Sequence, residues 1–448
     1  MRNRVPALAL LCLLLNVSIG VAQTNQDKLG LIFKNIYGPN GLLVESEAVL
    51  NPGDKEHFPH FNNAFQTSFS AFNTALASQL TAVPLPSPAS GFTYQYDAAS
   101  GAFTRSTQSF GPILADRAET LGRRKFSFSF NYQRFSFDSI EGVDLKSVPV
   151  VFTHDSPELG GGRLDLVATQ NSITASVNQF TAFFNYGVTD RVDVSVAVPT
   201  VRTSLSLTSI ATVQRLGTTD PAVHFYRDSS GARGIVKSFS KQGTKSGIGD
   251  LIFRVKGTAV RGEHAALALG TDFRAPTGDE ENLLGSGAPG VKPFAALTFS
   301  HKSVAPHVNI GYQWNGNSVL AGDVATKTKA DLPNQFLYTA GLDVGATKWL
   351  TVAFDVLGQR VIDSPRLFAS NNSFPCGSGQ ACAGSTSPKV LPNIQFRQKQ
   401  NFNVVNGAIG FKVNPAPHIL VGFNLLFKMN DSGLRDKVTP LVGIEYSF

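Results

Sequence analysis

Val438-Thr-Pro-Leu-Val-Gly-Ile-Glu-Tyr-Ser-Phe448 closes the chain, and its alternation decides the fold. Val438, Pro440, Val442, Ile444, Tyr446 and Phe448 fall on one parity, and Thr439, Leu441, Gly443, Glu445 and Ser447 on the other. A strand turns successive side chains to opposite faces. One face here is apolar and aromatic, and the other is mostly polar or small. The same test holds upstream. Ile419, Val421, Phe423, Leu425 and Phe427 oppose Gly422, Asn424 and Lys428, and Val308, Ile310, Tyr312 and Trp314 oppose Asn309, Gly311 and Gln313. Val192, Val194, Val196 and Val198 oppose Asp193, Ser195 and Ala197, while Phe126, Phe128, Phe130 and Tyr132 oppose Ser127, Ser129, Asn131 and Gln133.

A soluble sandwich would alternate too, so the connections between strands have to discriminate. The pattern predicts about twelve strands, near 124–137, 172–187, 190–210, 247–260, 263–276, 291–302, 304–315, 334–347, 349–363, 399–413, 417–429 and 438–448. Short links at Val188-Thr-Asp190, Arg261-Gly262, Lys302-Ser303, Thr347-Lys348 and Asn414-Pro-Ala416 alternate with longer ones at 138–171, 211–246, 277–290, 316–333, 364–398 and 430–437. An up-and-down transmembrane barrel with short periplasmic turns and long outer loops gives that order, and a sandwich has no reason to sort its loops so. The expected fold is therefore all-β, a transmembrane antiparallel β-barrel. Tyr312, Trp314, Tyr446 and Phe448 suit the aromatic girdles at its rims. Tyr446 and the terminal Phe448 also read as an assembly signal.

Composition agrees. The chain of 448 residues is 42% hydrophobic and 16% charged, with mean hydropathy −0.01. Soluble domains carry about 25% charge. No apolar run reaches the roughly 18 residues of a spanning helix. Arg2 and Arg4, the apolar run Val5 to Leu15, and the small residues Gly20 and Ala22 form a signal peptide over 1–22, expected to be cleaved after Ala22. Cleavage takes two of the 39 basic residues, which leaves 37 against 32 acidic, or +5. That excess is scattered, with no basic run interleaved with aromatics, so no nucleic-acid partner is expected. Cys376 and Cys382 remain, flanking Gly-Ser-Gly-Gln-Ala, and an oxidising periplasm is expected to close them into a disulfide.

Residues 23–123 precede the barrel domain, 124–448. Phe61, Phe65, Phe69, Phe72, Leu76 and Leu80 recur at helical spacing and predict an amphipathic helix, stopped by Pro84, Pro86 and Pro88. Phe92 to Tyr96, a turn at Asp97 to Gly101 and Phe103 to Arg105 predict a hairpin. Ala115 to Leu121 is expected to form a further short helix. The segment is either a plug within the lumen or a periplasmic segment packed on the lower rim.

Catalytic signatures are missing: there is no GxSxG, HExxH, Walker A loop or GxGxxG after a strand. No enzyme activity, cofactor or metal is expected, and His57 and His60 read as solvated or structural. The polar parity carries Asp193, Asp250, Arg254, Lys256, Asp272, Asn309, Gln313, Asp343, Asp355, Gln359, Asn403 and Glu445. In lipid an Arg or Lys at mid-depth would cost about 2–4 kcal/mol, so these residues are lumen-lining candidates. They form either salt bridges that stiffen the wall or a selectivity lining.

Several motifs resemble a known family. Ala118-Glu-Thr-Leu-Gly122 leading into Phe126-Ser-Phe-Ser-Phe-Asn-Tyr-Gln133 is one, and Tyr186-Gly-Val-Thr-Asp-Arg-Val-Asp-Val-Ser-Val-Ala-Val-Pro199 is another. Gly247-Ile-Gly-Asp250 and Arg274-Ala-Pro-Thr-Gly-Asp279 complete them. Together they resemble the transporter group of the phenol meta-degradation pathway, distantly similar to long-chain fatty acid transporters, over roughly 115–448. The resemblance implies an outer-membrane barrel that passes small hydrophobic or aromatic molecules by passive uptake. The alternative is a structural or non-selective porin-like barrel with no dedicated substrate. Expected partners are outer-membrane lipid and lipopolysaccharide, the barrel assembly machinery and a small hydrophobic ligand, around a monomer.

Overall fold

The computed structural model describes residues 28–38, 41–47, 61, 70–81, 94–97, 102–105, 109–112, 114–154 and 164–447. The expected signal peptide, His57, His60, Phe65, Phe69 and Phe448 lie outside them.

Twelve antiparallel strands close a barrel. They are β1 Phe126–Phe137, β2 Leu166–Gly187, β3 Val192–Gln214, β4 Leu251–Arg261, β5 Ala265–Ala275, β6 Gly290–Phe299, β7 Val304–Asn315, β8 Gln335–Gly345, β9 Leu350–Phe374, β10 Lys389–Ala416, β11 Ile419–Lys428 and β12 Val438–Ser447. Each pairs with the next, and β12 returns to β1 with Glu445 opposite Ser129. The short links fall at one end and the long connections at the other, as the chain's loop order requires.

The outer surface is apolar around the ring. Phe184, Val194, Phe253, Phe273, Ile310 and Phe354 are all exposed. Trp314, 52% exposed, and Tyr446, 45% exposed, stand near strand ends. A continuous exposed belt of this kind is the lipid-facing surface of an outer-membrane barrel.

Several strands run beyond that belt. The upper half of β2 is flanked by Val148–Thr153, and the upper half of β3 by Val236–Ile248. β9 and β10 continue as a hairpin to Phe374 opposite Lys389. The connections expected at 138–171, 211–246 and 364–398 are therefore partly strand. Beyond the belt the polarity of the alternation reverses. Below, β3 shows Val194, Val196 and Val198 outward and Asp193 and Ser195 inward; above, Ser204, Ser206 and Thr208 face outward while Val201, Leu205 and Leu207 are buried. β1 makes the same switch after Tyr132, with Phe135 and Phe137 buried inside and Arg134 exposed. The hydroxyl of Tyr132 donates to Asn178 Oδ1 at 2.8 Å along this boundary. Asn403, expected in the lumen, instead faces outward opposite Arg360, both exposed, and Val404 takes the inward place. It lies where the reversed rule applies.

The reversed interior is the hydrophobic core. Leu29, Ile32, Phe33 and Tyr37 pack there with Phe152, Ile173, Leu207 and Val213. The helix α1 spans Ser70–Thr81 and buries Phe72 and Leu76, with Leu80 half-buried. Phe61 is not on it. Its backbone bridges to His154, and its ring sits edge-on to His154 and His224, so a sheet-edge contact outweighs the helical spacing there. Tyr94–Asp97 and Ala102–Arg105 pair as the expected hairpin. Cys376 and Cys382 form a disulfide.

Candidate functional site: the barrel lumen

At the short-turn end, residues 109–112 and 114–122 cross the lumen as an extended strap before turning into β1. The helix expected at Ala115 to Leu121 does not form, because the backbone groups there find partners on the wall instead of four residues away. Lys412 Nζ on β10 donates to the carbonyls of Phe110 (3.2 Å) and Pro112 (2.7 Å), and Thr351 Oγ1 on β9 accepts from Phe110 N at 2.9 Å. Asn309 on β7 donates to the Asp116 carbonyl at 2.9 Å. Lys256 on β4 donates to the carbonyls of Arg117 (3.0 Å) and Glu119 (2.9 Å), and Thr258 to that of Ala118 (2.6 Å). Asp193 on β3 accepts from Leu121 N at 2.9 Å. The strap leaves through Gly122 at φ +96° against Gly187, where a Cβ would lie 1.9 Å from the Gly122 carbonyl. Only glycine fits that approach.

The predicted lumen residues fall into separate groups. Arg254 Nε and Nη2 bind Asp272 at 2.5 and 2.8 Å, its Nη1 reaches Asp116 at 2.6 Å, and Lys292 shares Asp272 at 2.8 Å. Asp343 and Asp355 hold His307 between them, at 3.2 Å to Nδ1 and 2.6 Å to Nε2. Arg117 and Ser109 of the strap reach Asp343 from the other side. Asp250 serves a loop: it accepts from Gly278 N (3.1 Å) and from Ser286 N and Oγ (2.8 and 2.6 Å). Glu445 is half-buried and accepts from Ser447 at 3.0 Å. Lys292, His307 and Lys412 complete these groups and were absent from the sequence reading, although inward parity points to each. Asp116 and Arg117 lie in irregular backbone, and Arg435 in the two-residue strand Leu434–Arg435 paired with Ser139–Ile140, too short to carry a period.

Between the strap and the end of α1 lies an open chamber. Leu114, Ala115 and Asp116 form its lower side, and Gln79 and Thr81 contribute from α1. Phe135, Phe137, Leu337, Leu357, Val404 and Leu426 give it an apolar wall; Arg254, Lys292, Asn309, Gln359, Asn406 and Arg435 give it polar groups. Phe294 joins the two kinds, with the Arg254 guanidinium 4.7 Å from its ring centroid. Arg435 comes from the 429–437 connection, and burial pulls its guanidinium down to about 10, so it stays charged at neutral pH. A second, smaller cavity shares Thr81 and Lys292 with the chamber.

The family described as "Putative MetA-pathway of phenol degradation" matches residues 154–363, just under half of the chain, which bears out the resemblance seen in the motifs. No curated protein sequence matches. Among solved structures, an outer-membrane channel from Pseudomonas putida F1 aligns at 12% identity and TM-score 0.44, covering 74% of this chain and 98% of that one. A Pseudomonas aeruginosa FadL homologue aligns at 10% identity and TM-score 0.29, covering 72% and 89%. The outer-membrane channel DcaP of Acinetobacter baumannii aligns at 9% identity and TM-score 0.26, covering 72% and 96%.

Proposed function

We propose that this barrel passes small hydrophobic or aromatic molecules across the outer membrane by passive diffusion, with residues 23–123 as its plug. The chamber carries this reading. It sets an apolar wall beside a comparable share of polar groups, and it lies on the barrel axis between two parts of the N-terminal segment. The strap is held through its backbone by side chains from β3, β4, β7, β9 and β10. Its release exchanges those bonds for water and also parts the Arg254–Asp116 and Arg117–Asp343 ion pairs.

The paired charges favour a second reading, a sealed structural barrel. Arg254, Asp272, Lys292 and Asp116 answer one another without a substrate. Single-channel conductance of the refolded protein in a planar bilayer, with and without residues 23–115, separates the two. A silent full chain and a conducting truncation are the expected result. Two silent proteins would overturn the transporter reading, since the wall itself would be the seal. Equal conductance from both would mean an open, non-selective pore.

A further inference from the structure

Arg435 differs from the other chamber cations. Arg254 and Lys292 each have a carboxylate at contact. Arg435 is 2% exposed. Its Nη2 donates to the Val405 carbonyl at 2.8 Å and to Asn406 Oδ1 at 2.6 Å. Its Nε has no hydrogen-bond partner among the described residues, and none of their carboxylates lies within 4.0 Å of its guanidinium. Asp431, Asp138 and Asp436, the last of which also lines the chamber, offset its charge only from beyond contact, and each is also engaged elsewhere. Asp436 accepts from Ser136 N (2.9 Å), Thr439 Oγ1 (2.9 Å) and Val438 N (3.2 Å). Asp138 and Asp431 both face Lys428. A buried cation without a contact counter-ion is costly, and a complementary anion relieves that cost. Phe135, Phe137, Leu357, Val404, Leu426 and Leu434 surround this end of the chamber.

We propose that the chamber binds a small carboxylate with an apolar body, the carboxylate on Arg435 and the body against Phe135, Phe137, Leu357 and Leu426. This rests on the chamber reading above and narrows its ligand. A bound carboxylate takes a charge-assisted hydrogen bond that a neutral isostere takes only weakly, and an amine of the same shape is repelled. Arg254 and Lys292 add no comparable preference, because Asp116 and Asp272 neutralise them at contact.

The test is calorimetric titration of the refolded full chain in detergent, at neutral pH, with benzoate, benzamide and benzylamine. Benzoate is expected to bind about tenfold or more tighter than benzamide, and benzylamine most weakly. Arg435→Gln should bring benzoate to the level of benzamide, and Arg435→Lys should keep part of the preference. Benzoate and benzamide binding alike in the unmodified protein would overturn the proposal, and that comparison needs no variant to fold. A preference that survives Arg435→Gln would also overturn it. Leu337→Trp, which sets a larger ring into the chamber, separates this failure from that of the chamber reading. If it abolishes benzamide binding while benzoate shows no preference, the chamber stands and the carboxylate falls. If no ligand binds, or binding ignores Leu337→Trp, both fall.

Discussion

Two stretches of the same strand obey opposite rules. In the lower part of β2, Phe180, Phe184 and Tyr186 face out while Gln179, Thr181 and Asn185 face in. In its upper part, Ser172, Thr174 and Ser176 face out while Val167, Ile173 and Val177 are buried. The backbone and the register do not change; β2 pairs with β3 without a break from Leu166–Gln214 to Gly187–Asp193. What changes is the solvent on each side. Lipid outside and a hydrated, ion-paired lumen within favour one order. Water outside and a core built on the N-terminal segment favour the other. The point of reversal, at Asn178 and Thr200, marks the upper edge of the hydrocarbon belt.

That contrast can be broken by substitution. The largest effect belongs to Leu207→Ala. Leu207 is fully buried in the upper core, and truncation there should cost about 2–5 kcal/mol. Urea unfolding of the refolded protein in lipid vesicles measures it; a loss within about 0.5 kcal/mol would mean that the upper core is not a packed core. Next comes Val194→Arg, on the same strand and 37% exposed to lipid. It should cost about 2–4 kcal/mol in the same assay, while Ser206→Arg, on the outer face above the boundary, should cost nearly nothing. Equal costs would move the boundary or remove it. Smaller again is Lys256→Met, which leaves the carbonyls of Arg117 and Glu119 without their donor. A loss of about 1–3 kcal/mol is expected, with conductance bursts in a chain otherwise silent. Unchanged stability and silence would mean that the strap does not depend on that lysine.

The same reversal explains what the sequence did and did not reveal. The strand pattern and the alternation of short and long links survive into the structure because both follow from a barrel crossing a bilayer. The extensions were hidden because Ser204 to Thr208 and Val201 to Leu207 alternate as well as Val192 to Val198 does. Only the sign of the pattern changes, and parity alone does not say which face is wet. Asn403 reads as inward for that reason. The strap was hidden differently. Its order comes from Lys256, Thr258, Asn309, Thr351 and Lys412, scattered over four strands, and an extended segment without a period carries no local trace of them. Of the chamber, the inward charges are legible one at a time; their grouping depends on irregular backbone at Asp116 and on the two-residue strand that carries Arg435.

The smallest expected effect tests whether the upper interior is dry. Tyr37 is buried there between Phe152 and Phe239, with its hydroxyl 2.9 Å from Ser209 Oγ. Burial pushes its phenol up to about 12, against the pull of that hydrogen bond. An acid whose pKa is raised on folding stabilises the fold below its unfolded value, near 10. That contribution is lost as pH climbs from there toward 12. Absorbance at 295 nm should therefore show a late phenolate step, to which buried Tyr226 beside the same Phe239 also contributes, and Tyr37→Phe should lessen it. If the step is missing in the unmodified protein, or unchanged in Tyr37→Phe, water reaches the face that the reversed alternation assigns to the core.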